Sequence, residues 1–165
     1  MRRVTVRQAR PADDVDLLSV AEAAIRDGAS ETYSPAEVAA WAPDLGDVGE
    51  YESALDSDEY LVLVAELDDS VVGYGVLQVE HGSLLALYVD PTAGDGGIGS
   101  TLLGNVETSA RFNGAATLDL LAARNSVGFY ERHGYDRTGA VERDIDGESL
   151  TFVEMSKPLD GPSSL

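Results

Sequence analysis

The stretch LLALYVDPTAGDGGIGSTLLGNVETSARF, from Leu84 to Phe112, decides the fold of this chain. It opens on a short apolar run typical of a β-strand, which Asp90-Pro91 ends because proline cannot donate to a sheet ladder. From Ile98 onward, apolar residues recur at helical spacing. Four glycines within six positions separate the two patterns: Gly94, Gly96, Gly97 and Gly99. The sequence therefore predicts a strand, a glycine-rich loop and the start of a helix.

This loop has the composition of a phosphate-binding site. Glycines let a ligand approach the backbone closely, and the first turn of a helix offers unpaired N–H groups with a partial positive charge. A flexible loop before an ordinary helix is the alternative, but four glycines exceed what a turn needs. The pattern favours binding of a phosphate or diphosphate.

Two families of glycine-rich loop fit this stretch poorly. A nucleoside triphosphate loop needs a lysine at the helix start, and Gly99-Ser100-Thr101 has none. The dinucleotide fingerprint G-x-G-x-x-G is matched literally by the first, second and fourth glycines, and Asp119 stands near the distance of its ribose-binding acid. However, Asp90-Pro91-Thr92-Ala93 intervenes before the first glycine, and apolar strand residues flank Asp119 on both sides. A dinucleotide site is therefore disfavoured.

Two segments in the expected order resemble motifs of the Gcn5-related N-acetyltransferases, the GNAT superfamily. LYVDP followed by GxGIGSxLL resembles its motif A, and RNSVGFYERHGY, from Arg124 to Tyr135, is similar to its motif B. The resemblance implies an α+β fold, with a mostly antiparallel, mixed central sheet of six to seven strands flanked by helices. It also implies transfer of an acetyl group from acetyl-coenzyme A to a primary amine by direct attack in a ternary complex. A non-catalytic acyl-coenzyme A-binding or protein-interaction module on the same fold stays open.

The resemblance assigns roles to particular residues. It implies that Tyr130 protonates the leaving thiolate, and that Asn125 binds the pantetheine arm or the loop that crosses it. It implies that strand backbone and loop amides hold the coenzyme at Leu87, Tyr88, Val89, Gly94, Asp95, Gly96, Gly97, Ile98, Gly99 and Ser100. Gly94 departs from the motif, which usually has Arg or Gln there, and this departure puts the affinity for the coenzyme in question.

The acceptor site and the general base are less well marked. In this superfamily the first two helices commonly line the acceptor pocket, so Tyr33 and Trp41 are candidate substrate contacts, with core packing as the alternative for Trp41. Relatives often have a carboxylate on the motif-A strand, where this chain has only apolar residues. Glu80 and His81 are the nearest titratable groups, although turn residues facing water would look the same. No metal site is expected, because the only two histidines lack ligand spacing.

Local signals predict several further elements. Ser34, Pro35 and Glu37 have the spacing of a capped helix start, with a capping box. Asp68-Asp69-Ser70 and Asp146-Gly147 are predicted hairpin turns between strands. The short helix of motif B is expected to begin at Asn125, and the preceding strand to run from Ala115 to Leu121.

The composition predicts one domain over residues 1–165, with a frayed tail over 160–165. No apolar run approaches a membrane span and Met1-Arg2-Arg3 does not open a signal peptide, so a cytoplasmic location is expected. The absence of cysteine excludes disulfides, thiolate metal sites and a cysteine nucleophile. A net charge of −19 with a single lysine, Lys157, disfavours nucleic acid and anionic membranes as partners. The expected partner is a small-molecule or peptide amine, and a homodimer is possible.

Acidity spread through the periodic segments, with almost no lysine, resembles adaptation to molar salt. At about 1 M salt the screening length is only ~3 Å, so distant surface charge no longer repels an anionic coenzyme while loop amides in direct contact still act. Binding of the coenzyme is therefore expected to need high salt.

Overall fold

A seven-stranded sheet organises the computed structural model, which describes residues 3–94 and 97–159. The strand order is β1-β2-β3-β4-β5-β7-β6, and only the β4–β5 pair is parallel. The fold class is therefore the predicted one, α+β with a mostly antiparallel sheet. The strands are β1 (Val4–Gln8), β2 (Tyr60–Leu67), β3 (Ser70–Gln78), β4 (Ser83–Val89), β5 (Thr117–Ala123), β6 (Asp136–Ile145) and β7 (Glu148–Pro158).

Helices cover both faces of the sheet. One face carries α4 and α5, whose buried side chains such as Leu103 and Val127 pack in one apolar cluster. The other face carries α1, α2 and α3, with Leu17 and Val38 among the buried residues. Each buried leucine or valine contributes about 1.5–3 kcal/mol relative to an exposed one. The helices are α1 (Asp14–Gly28), α2 (Pro35–Trp41), α3 (Val48–Leu55), α4 (Ile98–Phe112) and α5 (Val127–Arg132).

Both predicted hairpin turns are present. Asp68 and Asp69 have φ values of 52° and 66°, and Asp146 and Gly147 have 52° and 85°. Two successive left-handed residues give the backbone twist that joins adjacent antiparallel strands.

The element boundaries differ from the prediction around motif B. After α4, the Ala115 N–H donates a hydrogen bond to the Ala110 carbonyl, so Ala115 still belongs to the turn that ends the helix. The strand β5 therefore begins at Thr117 instead of Ala115. A single 3₁₀ turn, Arg124–Ser126, precedes α5, which therefore begins at Val127 and not at Asn125. The expected tail over 160–165 lies outside the described residues.

The two parallel strands separate soon after they meet. β4 and β5 pair only at Ser83 with Asp119 and at Leu84 with Leu120. On its other edge β4 has a bulge at Leu85, because Val76 of β3 lies opposite Ala86 while the next residue lies opposite Leu84. A bulge bends its strand and increases the local twist. The sheet therefore opens between the later parts of β4 and β5.

Candidate active site

A cavity of about 360 Å³ lies in this opening, and we call it the cleft. Its walls are residues 84–89 of β4 and 120–123 of β5. Tyr130 and Asn125 line it near the second motif, and Trp41 and Phe152 line it from the α2 face of the sheet. The cleft thus connects the two faces of the sheet and brings both sequence motifs together.

The edge of β4 that faces the cleft presents unpaired main-chain groups. The Asp90 N–H donates to the Val72 carbonyl of β3 at 2.8 Å. Because an antiparallel ladder alternates, Tyr88 and Ala86 also direct their main-chain groups to β3. The N–H and C=O groups of Leu87 and Val89 therefore point to the cleft, where β5 has already separated.

Tyr88 occupies a different position from the one predicted for it. Its main chain pairs with β3, and its side chain lines the cleft from the α1 and α2 face. Burial raises the pKa of this phenol above its ordinary value, and the Trp41 indole opposes part of that shift. Tyr88 thus faces the cleft with its side chain, whereas Leu87 and Val89 face it with main-chain groups.

The start of α4 is an open helix terminus. Its N-cap is Gly97, in the left-handed region at φ 75°, and no side chain caps it. The N–H groups of Ile98, Gly99 and Ser100 belong to the first turn, which has no partner inside the helix. This first turn also has no acidic side chain, although the chain is strongly acidic. A diphosphate would meet free donors there.

The backbone geometry explains why glycine stands at two positions of this loop. Gly94 has φ 85° and ψ −177°, a region that is essentially restricted to glycine. A side chain such as the Arg or Gln of the usual motif would therefore be strained at this position. A Cβ on Gly99 would lie 3.4 Å from the Phe129 ring and 3.8 Å from Val89, so α4 begins directly beside the end of β4. Asp95 and Gly96 lie outside the described residues.

Ser100 and His133 connect the start of α4 to the end of α5. His133 Nδ1 lies 2.8 Å from the Phe129 carbonyl, and Nε2 lies 2.9 Å from Ser100 Oγ. Because a carbonyl only accepts, Nδ1 carries the hydrogen, and in a neutral ring Nε2 accepts from the serine hydroxyl. The Ser100 side chain is therefore directed to His133, a pairing across 33 positions that no local sequence pattern indicates.

Tyr130 is held on α5 with its ring buried. It is 7% exposed and packs edge-on against Phe129 and Tyr135, with ring centroids 5.1 and 5.6 Å away. Within residues 3–94 and 97–159 its hydroxyl takes part in no hydrogen bond. Burial raises the pKa of this phenol above its ordinary value. Tyr130 thus offers the cleft a neutral, uncommitted proton donor.

Asn125 ties the second motif to the first helix. Its Nδ2 donates to the Gly28 carbonyl at the end of α1, at 2.9 Å. The side chain also lines the cleft. In this structure it fixes the connection between β5 and α5 against α1.

The two aromatic residues predicted to contact the acceptor lie at different depths. Tyr33 is 2% exposed, and its hydroxyl donates to the Thr151 carbonyl at 2.6 Å and accepts from the Arg124 N–H at 3.0 Å. It does not line the cleft, so the structure places it in the core behind the site. Trp41 does line the cleft, edge-on to Tyr33 and Phe152 at 5.6 and 5.3 Å.

The structure does not bring Glu80 and His81 to the cleft. Both lie exposed in the turn between β3 and β4, before the strand that forms the cleft wall. Of the described side chains that line the cleft, Arg143 on β6 is the only one that is charged at neutral pH. The structure therefore gives no support to either residue as the general base.

A second cavity, of about 570 Å³, adjoins the cleft across Trp41 and Tyr88, and we call it the side pocket. Tyr51 and Tyr74 form part of its wall, with ring centroids 6.4 Å apart, and burial raises the pKa of both phenols. Its acidic lining residues are Asp44, Asp47, Glu50 and Asp146.

The described part of the chain has neither a metal-binding cluster nor a membrane-spanning helix. It contains no group of three or more histidine, aspartate or glutamate side chains arranged to hold a metal ion. None of its helices has both the length and the apolar character needed to cross a membrane.

Residues 29–159 match the family model described as an acetyltransferase (GNAT) domain. A GCN5-related N-acetyltransferase from Rhodopseudomonas palustris is 27% identical, with a TM-score of 0.87 over 93% of this chain and 94% of that one. A ribosomal-protein-alanine N-acetyltransferase from Brucella melitensis is 26% identical, with a TM-score of 0.71 over 93% and 99%.

The PaiA N-acetyltransferase from Thermoplasma acidophilum, solved in complex with coenzyme A, is 24% identical. Its TM-score is 0.77 over 94% of this chain and 99% of that one, which shows a shared fold. No curated protein matches the sequence.

Proposed function

We propose that this chain, which belongs to the GNAT acetyltransferase family, transfers an acetyl group from acetyl-coenzyme A to a primary amine in the cleft. The observation that carries the proposal is the adjacency of two unsatisfied sets of main-chain donors. One is the open start of α4, and the other is the free edge of β4 at Leu87 and Val89. A Cβ built at Gly99 would lie 3.8 Å from the Val89 side chain, so the start of α4 and the end of β4 are neighbours.

The two sets of donors suit two parts of one ligand. The first-turn N–H groups of α4 favour a diphosphate, because they combine free donors with the positive end of the helix dipole. The Leu87 and Val89 groups suit an amide-containing arm that extends β4 as a short strand would. A thioester at the end of that arm would lie in the cleft with Tyr130.

Tyr130 is the proposed acid. The amine nitrogen bonds to the thioester carbon, the carbon–sulfur bond breaks, the sulfur takes a proton and the nitrogen gives one up. The buried phenol is protonated at neutral pH, and a thiolate that forms beside it in the cleft can take its proton. Tyr130 would then recover its proton from solvent.

Deprotonation of the amine is proposed to need no side chain of the cleft. Among the described residues that line the cleft there is neither a carboxylate nor an imidazole. We therefore propose that the acceptor enters as the neutral amine or loses its proton to water. The value of kcat/KM should then rise with pH until the acceptor amine itself is deprotonated.

The same lack of a base favours a second candidate, a module that binds an acyl-coenzyme A without turning it over. Release of free thiol from acetyl-coenzyme A, measured over a panel of amines, separates the two. Calorimetry on the same samples measures binding of the coenzyme. Binding with amine-dependent thiol release supports the enzyme, and binding alone supports the module.

The measurements should be repeated over a range of KCl concentrations. We propose that the net charge of −19 is an adaptation to high salt and that affinity for coenzyme A rises between about 0.1 and 1 M KCl, where the screening length falls from ~10 to ~3 Å. Affinity that only falls with salt would contradict this adaptation. The cytoplasmic location and a homodimer stay predictions.

A further inference from the structure

Arg143 is unusual because, within residues 3–94 and 97–159, it brings the only full charge to the lining of the cleft. It lies on β6 directly opposite Leu150 of β7. Residues directly opposite in an antiparallel pair share a face of the sheet. Leu150 is fully buried with Phe152 against α2, so Arg143 is on the α2 face, on the same side as Trp41.

This arginine makes no ion pair with any described residue, although the chain has 30 acidic residues. Its neighbours Glu142 and Asp144 point to the opposite face, because side chains alternate along a strand. Arg7 and Arg137, by contrast, are paired with carboxylates. The guanidinium at the cleft is therefore available to an anion that comes from outside the chain.

The coenzyme diphosphate is not the best candidate for that anion. The open start of α4 lies on the other face of the sheet, together with the side chains of Leu87 and Val89. Arg143 is on the α2 face, where Phe152 and Trp41 also line the cleft, and we assign this side to the acceptor because the donors for the coenzyme lie on the other. An anion at this position would belong to the acceptor.

We propose that Arg143 binds a carboxylate of the acceptor, so that the substrate is an amine that also carries a carboxylate, such as a free amino acid. This inference rests on the proposed acetyl transfer and names the substrate class of the same site. The planar guanidinium can hold a carboxylate through two parallel hydrogen bonds. Trp41 and Phe152 then form an apolar surface for the acceptor's side chain, while its amine faces the thioester.

The test compares amino acids with their own carboxamides, which keep the size and the amine but lose the negative charge. Wild-type protein and the variants Arg143→Gln, Arg143→Lys and Arg137→Gln are measured with each pair. For Arg143→Gln we expect kcat/KM to fall about 10- to 100-fold for the amino acid and to stay nearly constant for the carboxamide. Arg143→Lys should recover part of the loss.

Arg137→Gln is the matched control, because it removes an arginine from the same strand outside the cleft. Taking the ratio between wild type and variant for each acceptor cancels the different basicity of amino acid and carboxamide. Affinity for coenzyme A, measured by calorimetry, should be the same in all four proteins.

Three results would overturn the proposal. The first is an equal loss of kcat/KM in Arg143→Gln for the amino acid and its carboxamide. The second is a preference of the wild type for diamines, which the acidic side pocket would bind. The third is equal kcat/KM of the wild type for the amino acid and its carboxamide. If no amine is acetylated at all, the proposed transfer fails instead. Calorimetry of amino acids on the coenzyme-loaded protein then decides: binding by wild type but not by Arg143→Gln supports the carboxylate site, and equal or absent binding refutes it.

Discussion

The starts of α2 and α4 differ in what they leave unsatisfied. At α2 the Ser34 hydroxyl accepts from the Glu37 N–H at 3.1 Å, and the Glu37 carboxylate accepts from the Ser34 N–H at 2.9 Å. At α4 a glycine stands at the N-cap, and Ser100, at the position equivalent to Glu37, turns to His133. The side chains of α2 thus bind N–H groups at the start of their own helix, whereas the first-turn N–H groups of α4 are free to bind a ligand.

The largest effect is expected when the start of α4 receives a glutamate at the position that Glu37 has in α2. Ser100→Glu would place a carboxylate at the free N–H groups, where it takes up donors and repels a diphosphate. We expect the Kd for coenzyme A to rise about 100-fold in calorimetry, with no loss of thermal stability. Ser100→Gln is the control for size and for loss of the His133 bond. A similar rise for both variants would argue against an electrostatic cause.

Loss of the Tyr130 hydroxyl should affect turnover and not binding. For Tyr130→Phe we expect kcat to fall about 100-fold while the Kd for coenzyme A stays constant, because the phenol is proposed to protonate only the leaving thiolate. With an acyl donor whose thiol has a lower pKa, kcat of the variant should fall less, because that thiolate leaves without being protonated. A deficit independent of the leaving group would assign Tyr130 to packing.

A third helix start, at α1, is held by an internal ion pair. Arg7 binds Asp13 at 2.9 Å and holds the pKa of that carboxyl below its usual value. Asp13→Asn should lower the free energy of unfolding at neutral pH by about 2 kcal/mol, with no change in affinity for coenzyme A.

The sign of the pH dependence follows from the lowered pKa of Asp13. The ionised Asp13 carboxylate stabilises the fold at a pH above 3.8, the pKa of this group in the unfolded chain. This stabilisation is lost as the pH falls through the lower pKa of Asp13 in the folded protein. Urea unfolding of both proteins from pH 7 down to pH 2 tests this. A difference between wild type and variant that does not shrink in acid would contradict the pairing.

The smallest effect is expected at α2 itself. Ser34→Ala removes the N-cap acceptor and should cost about 1 kcal/mol of stability while leaving coenzyme binding unchanged. Thermal unfolding and calorimetry on the same sample measure both quantities. A change in affinity would mean that α2 and the start of α4 are coupled.

These helix starts also show what a sequence can predict. The Ser34 capping box and the glycine-rich start of α4 were predictable because each depends on residues within one turn of chain. The aspartate-containing hairpins were predictable for the same reason, since two left-handed residues suffice to define the turn.

Features that depend on strand register were not predictable in this way. Tyr33 lies in the core because its hydroxyl bonds to Thr151, which is 118 positions away. Arg143 reaches the cleft because β7 inserts between β5 and β6, an order that no local pattern encodes. Glu80 and His81 are close to β4 in sequence, but the cleft begins only after the turn that contains them.

The most direct test of the open helix start uses backbone amide NMR signals during titration with coenzyme A in about 1 M KCl. We expect the signals of Ile98, Gly99 and Ser100 to shift strongly, and those of Ala36 and Glu37, in the closed start of α2, to stay in place. Binding of coenzyme A that leaves the three α4 amides unchanged would contradict this expectation.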